Sequence, residues 1–222
     1  MIIKVCGMRD PLAIRAVAEL PVDAMGFIFH PLSPRYVGDD DDGLADSLQQ
    51  ILPRTMVRIG VFVDATIEEI LDRTRAFRLD GIQLHGRESA EDLARLQQAF
   101  QETGMRQPFL IKAFSIVSTD AFPDTDAYEP WCRYFLFDTG GNAPGGNGVP
   151  FAWERLQDYH GTTPFLLAGG IGPEDISKLA ALTHPQWVGI DLNSRFENQP
   201  GVKDPDRLAR FLIQLETSPC TI

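Results

Sequence analysis

Eight times along this 222-residue chain a short apolar run gives way to a stretch with helical spacing, and that alternation limits the possible folds more than composition does. The apolar runs cover residues 2–6, 24–29, 57–63, 81–85, 109–114, 134–138, 164–168 and 187–192. Helical patterns follow at 11–20, 66–77, 89–101, 173–182 and 205–215, with a shorter one at 151–159. In the first of these, Leu12, Ala13, Ala16, Val17 and Leu20 recur at the spacing of one helix face. Asp39 to Asp42 are expected to open a further helix running to about Leu52, where four acids suit an amino terminus and stay solvated. Thr66 and Glu69 have the spacing of a capping box. A looser acidic segment spans 118–130.

Strands that read as continuous apolar runs belong to parallel sheets covered on both faces. Eight strand–helix units in this length predict an α/β fold, the closed (β/α)8 or TIM barrel, with an open doubly wound sheet as the alternative. No Ser/Pro-rich linker or charge block divides the chain, so residues 1–222 are expected to form a single catalytic domain.

With 20 basic residues against 31 acidic ones the net charge is −11. Such a chain lacks the basic field that draws phosphate backbones, so neither nucleic acid nor an anionic membrane is an expected partner. Cys6, Cys132 and Cys220 are odd in number and far apart, without a CxxC pair, which predicts neither a disulfide framework nor a zinc site. The start Met1-Ile2-Ile3-Lys4 has no apolar h-region and no run approaches a membrane span, so a cytoplasmic address is expected.

In parallel barrels chemistry is done at the carboxyl ends of the strands. The polar residues and glycines at those ends are Cys6, Arg35, Asp64, Gln83, His85, Asp138, Gly169, Gly170, Asp191, Asn193 and Ser194. Closure of the barrel would bring them to one rim. Cys6 reads either as a small buried core residue or, where its pKa is lowered, as a base able to take a proton from carbon. Asp138 ends an apolar strand, as a general acid or as a cap on the next turn. Gly169-Gly170 before Pro173 has the character of an anion cradle at the usual phosphate position of barrels, or of a tight strand-to-helix turn. Arg35 follows Ser33-Pro34 in a stiffened loop, as a carboxylate clamp or as a surface arginine. His85 is most simply a hydrogen-bonded wall residue. His30, Asp64, His85 and Asp138 stand at no His-x-His, His-x-Asp or HExxH spacing, so no metal is expected. There is no GxGxxG after the first strand and no GxxxxGK[ST] loop, which disfavours dinucleotides and nucleoside triphosphates.

Taken together, the segments resemble the phosphoribosylanthranilate isomerase family. Lys4-Val5-Cys6-Gly7 is similar to that family's opening, and Gly26-Phe27-Ile28-Phe29 with Ser33-Pro34-Arg35-Tyr36-Val37 to its second strand and loop. Gly60-Val61-Phe62-Val63, Gln83-Leu84-His85-Gly86, Phe137-Asp138, the Gly-rich stretch from Gly145 and Phe151-Ala152-Trp153 continue the likeness in order. Leu167-Ala168-Gly169-Gly170 and Pro200-Gly201-Val202-Lys203-Asp204 complete it.

The resemblance implies an isomerase of tryptophan biosynthesis, an aldose–ketose (intramolecular oxidoreductase-type) enzyme with no metal or organic cofactor and a phosphorylated small-molecule substrate. It implies Asp138 as general acid and Cys6 as general base. Arg35 would hold the anthranilate carboxylate, and Gly169, Gly170 and the eighth-strand loop (Asp191, Asn193, Ser194) the phosphate end. His85 is counted with the substrate-binding residues, and either a monomer or a homodimer is compatible. Two features depart from the family pattern: Arg195 replaces a glycine after the eighth strand, and an Asn-Ala-Pro stretch enlarges the loop after Asp138. Arg195 is expected to serve the phosphate or to pair with Glu197. The competing readings are a bifunctional sugar-phosphate isomerase, an indole-forming synthase and an inactive sugar-phosphate binder. The first would have an aspartate where Cys6 stands, the second a lysine acid that Val63-Asp64 does not offer, and the third needs neither Cys6 nor Asp138.

Overall fold

The computed structural model describes residues 1–38, 43–116, 121–138 and 153–218. Eight parallel strands close into a barrel in chain order, β1 (Ile2–Val5), β2 (Ala24–Ile28), β3 (Val57–Phe62), β4 (Gly81–Leu84), β5 (Phe109–Ser115), β6 (Tyr134–Asp138), β7 (Phe165–Ala168) and β8 (Trp187–Leu192). The closed barrel is therefore the observed form, and the open sheet is not. At the closing seam β1 pairs with β8, Lys4 opposite Asp191 and Val5 opposite Leu192, and Cys6 N donates to Leu192 O at 2.8 Å.

Helices α1 (Pro11–Ala18), α2 (Leu44–Ile51), α3 (Ile67–Phe77), α4 (Ala90–Thr103), α5 (Ile176–Ala181) and α6 (Pro205–Thr217) lie outside the strands. Their ends follow local chemistry. Asp10 and Asp204 cap helices whose first residue is proline, and Ser89 forms a reciprocal box with Asp92. At α3 the Thr66 hydroxyl accepts from Glu69 N at 3.2 Å, the forward half of the expected box. The expected helix at 173–182 is shorter than its spacing suggests: a 3-10 turn at Pro173–Asp175 precedes six α-helical residues. Residues 153–158 likewise form a 3-10 helix. Asp39 to Asp42, the Gly-rich run after Asp138, Phe151, Ala152 and Cys220 lie outside the described residues.

Side chains alternate along each strand, so every strand feeds two cores. Outward residues such as Val5, Phe27, Ile82, Phe135 and Phe137 pack against the helices with Ile14, Leu93, Leu208 and Phe211. Inward residues Ala24, Ile59, Ile111, Leu136 and Leu166 fill the barrel. Each fully buried side chain of this size contributes about 1.5–3 kcal/mol. The same alternation decides which polar residues face the barrel axis. Lys4 and Cys6 share the inward face of β1, and Gln83, Asp138 and Asp191 take the corresponding places on β4, β6 and β8.

One element was not expected. Glu197–Gln199 (β9) and Val202–Lys203 (β10) form a small antiparallel hairpin beyond β8. It places Glu197 and Lys203 beside the mouth of the barrel.

Candidate active site

At the carboxyl ends of the strands lies a cavity of about 280 Å³. Cys6, His85, Asp138, Gly169, Gly170, Asp191, Asn193 and Ser194 all line it, together with Gln83 and the apolar Ile28, Val61, Leu136 and Ile171. Eight of the nine residues that the family resemblance assigns to the site therefore meet in one chamber, while Asp64 lies outside it. The sulfur and the Asp138 carboxyl, 132 positions apart in sequence, share it because the barrel closes.

Cys6 is 4% exposed. Burial pushes its thiol up; Lys4 and Lys203 oppose that and Asp191 adds to it. A surrounding that simply lowers the thiol is thus not what this protein provides in its free form. Gly26 makes room for the sulfur: a Cβ there would stand 2.7 Å from Cys6 Sγ and 3.2 Å from Lys4 Nζ. Cys132, outside the chamber, is partly exposed, and the burial of its sulfur pushes that thiol up to about 12.

His85 Nε2 lies 3.4 Å from Asp138 Oδ2, and His85 Nδ1 lies 3.2 Å from Gln83 Nε2. If the Gln83 amide donates to Nδ1, the neutral ring carries its proton on Nε2, the nitrogen nearer Asp138. Gln83 is buried, so the series Gln83–His85–Asp138 runs from inside the barrel out to the carboxyl. His85 is therefore more than wall: it stands between buried Gln83 and the candidate acid.

Gly169 (φ +96°) and Gly170 (φ +67°) turn the chain in the left-handed region at the end of β7, which only glycine adopts readily. The turn beyond them is fixed by Gly172 N donating to Asp175 Oδ2 at 2.9 Å. Across it, Arg195 pairs with Glu174, tying the loop after β8 to the loop after β7. The expected pairing of Arg195 with Glu197 does not occur, because Glu197 is already engaged.

Arg35 is the one residue assigned by the family resemblance that does not line the chamber. Its Nε donates to Glu197 Oε1 at 2.9 Å and its Nη2 to Glu197 Oε2 at 2.6 Å, so the two-pronged bond goes to a carboxylate of the protein. Lys203, fully buried, donates to Glu197 Oε1 at 2.5 Å and to Asn193 Oδ1 at 2.8 Å. Sequence reading missed Glu197 and Lys203 as partners of the site. The Pro200-Gly201 dipeptide was the available signal, a turn that folds the two residues together.

Comparison with known proteins closes the question of kinship. Residues 3–214 match the family model described as N-(5'phosphoribosyl)anthranilate (PRA) isomerase. The chain belongs to that family. A relative from Parabacteroides distasonis, named N-(5'-phosphoribosyl)anthranilate isomerase, is 45% identical over 97% of this chain and 93% of its own. One of the same name from Phocaeicola vulgatus is also 45% identical, over 97% and 98%. Among solved structures, the phosphoribosyl anthranilate isomerase of Thermus thermophilus superposes with a TM-score of 0.77 at 28% identity, covering 98% of this chain and 99% of that one. A family structure holding reduced 1-(o-carboxyphenylamino)-1-deoxyribulose 5-phosphate superposes at 0.70 with 26% identity, over 97% and 99%. Among the described residues no helix is long and apolar enough to cross a membrane.

Proposed function

We propose that this chain is the PRA isomerase of tryptophan biosynthesis and converts N-(5-phosphoribosyl)anthranilate into 1-(2-carboxyphenylamino)-1-deoxyribulose 5-phosphate, with Asp138 as general acid and Cys6 as general base. The observation that carries the reading is the single chamber lined by Cys6, Asp138 and the Gly169-Gly170 turn. Family membership supports the same reaction.

The chemistry needs few groups. Asp138 gives a proton to the furanose ring oxygen; the C1′–O bond breaks toward that oxygen while the nitrogen lone pair forms the C1′=N⁺ iminium. The Cys6 thiolate then takes the C2′ proton, the C–H electron pair forming C1′=C2′ and the iminium pair returning to nitrogen. The resulting enolamine tautomerises to the ketone. C2′ is oxidised and C1′ reduced within one molecule, so the electron balance needs no outside oxidant. The iminium acidifies the C2′ proton, and a modest base suffices.

Gly169, Gly170, Asn193 and Ser194 would receive the phosphate, whose oxygens suit closely approaching backbone N–H groups. Arg35, with Nε and Nη2 committed to Glu197, would meet the anthranilate carboxylate through Nη1; Glu197 then sets the guanidinium plane. His85 would keep Asp138 aimed at the ring oxygen.

The test is a turnover assay following loss of substrate fluorescence. Cys6→Ser and Asp138→Asn should each lower kcat by about 10²–10⁴-fold. Wild-type protein without turnover would refute the activity, and variants with unchanged rates would refute the two roles.

A further inference from the structure

Beneath the chamber lies a charge to which the reaction, as written above, gives no task. Lys4 precedes Cys6 by two residues on β1, so both side chains point into the barrel, and its ammonium is fully buried. Desolvating an ammonium is costly unless an opposite charge meets it. Asp191 does, at 2.6 Å through Oδ2, from the strand that closes the barrel. Yet the pair is not a sealed staple. Asp191 Oδ1 is buried with no hydrogen-bond partner among the described residues, and Asp191 itself lines the chamber. The space left by Gly26 is bounded by Lys4 Nζ on one side and Cys6 Sγ on the other.

We propose that Lys4 is the positioning residue of the base: clamped by Asp191, its ammonium is the counter-charge that lets the Cys6 sulfur exist as a thiolate inside the barrel. The proposal rests on the reading of Cys6 as the base and extends it one residue inward. The charged groups that face the sulfur are Lys4 from β1, Asp191 from β8 and Lys203 from β10. Burial and Asp191 favour the thiol, and the two ammonium groups favour the thiolate. Lys4 keeps its proton because Asp191 and Cys6 together outweigh the burial that works against its charge. Two amines against one carboxylate leave the sulfur poised, and the iminium formed by ring opening supplies further positive charge at the moment the C2′ proton is taken.

The signs are opposite for the two members of the pair, which makes the proposal easy to overturn. Full-length protein carrying Cys132→Ser and Cys220→Ser is alkylated with iodoacetamide across pH, and labelling of Cys6 is read by mass spectrometry. Lys4→Met should move the midpoint of the rate–pH curve up by about one unit or more, and Asp191→Asn should move it down. At neutral pH the Lys4→Met enzyme should lose about tenfold to a hundredfold in kcat and recover part of it as pH rises through the displaced midpoint, which a purely structural lysine would not allow. A folded Lys4→Met protein with an unmoved midpoint overturns the proposal. Should Lys4→Met fail to fold, the neutral pair Lys4→Met/Asp191→Asn is compared with Asp191→Asn alone; a higher midpoint in the double variant supports the role of Lys4, and equal midpoints reject it. Alkylation needs no turnover, so the result is separate from the base assignment. If Cys6→Ala retains full activity, the assignment of Cys6 falls, while the midpoints still judge whether Lys4 charges the sulfur.

Discussion

Two lysines carried by the barrel strands are buried, and their surroundings differ in kind. Lys112, on the outward face of β5, donates to Glu88 Oε2 at 3.1 Å and to the carbonyl oxygens of Gly86, Leu84 and Ala113 at 2.8, 3.3 and 3.3 Å. Glu88 in turn accepts from Asp64 N and Gly86 N, both at 2.9 Å. That knot is saturated, and it pins the turn after β4 to β5. Lys4 has one carboxylate oxygen and a sulfur, and the carboxylate's other oxygen lacks a partner among the described residues. Buried polar groups are nearly always satisfied, and this exception stands beside an open chamber. Burial alone does not separate the two lysines. The count of satisfied partners does.

The contrast fails most visibly if Lys112 turns out to serve catalysis. Lys112→Met strands Glu88 and should lower the unfolding free energy by about 3–5 kcal/mol in urea, with kcat of the folded fraction within about twofold of wild type. A stable Lys112→Met enzyme with a collapsed kcat would break the comparison. Gly26→Ala tests the opposite pole. The added methyl collides with the sulfur and crowds the Lys4 ammonium, so stability should fall by about 1–3 kcal/mol while kcat falls about a hundredfold from misplacement of the reacting atom. Equal losses in both variants would mean that the two sites are not distinct.

Smaller effects sharpen the picture at the rim. Glu197 lies between the extremes, buried but chelated by Arg35 and Lys203. Burial opposes its charge, yet those two partners hold its carboxyl below the ordinary glutamate range. The stability it lends is present above that range and fades as pH falls through the depressed value. Glu197→Gln should therefore flatten the loss of urea resistance between about pH 5 and pH 3, where the wild-type curve bends downward. Arg195→Ala should leave stability within about 0.5 kcal/mol, since its pair with Glu174 is half exposed. Its KM should rise about threefold, the size of one solvated charge contact to phosphate. An unchanged KM would assign Arg195 to the Glu174 tie alone.

Most of the barrel could be read from sequence because parallel strands announce themselves as apolar runs. All eight strands fall within one residue of expectation at each side, and β6 and β8 match at both ends. The candidate site was legible for a related reason: polar residues at the ends of apolar runs have little else to do. What escaped was pairing. Lys4 was quoted as part of an opening motif, yet its partner stands 187 positions away and becomes adjacent only through closure. The bond from Arg35 to Glu197 spans 162 positions, and the hairpin that carries Glu197 has strands of three and two residues, too short to generate a period. Nothing in the sequence accordingly signals that two of the three Arg35 guanidinium nitrogens are bonded to a carboxylate of the protein. The expected helix after Pro173 failed on a similar scale, because the chain tightens into a 3-10 turn before six residues of α-helix.

The seam between the first and last strands has a bearing on how the chain is made. Synthesis delivers Lys4 early and Asp191 late, and an ammonium cannot be enclosed in a dry interior before its counter-ion arrives. The first strand must therefore wait, hydrated, for the eighth. Barrel closure, neutralisation of the lysine and completion of the reactive chamber are one event, and a truncated polypeptide stopping short of the eighth strand would be left open and inert together.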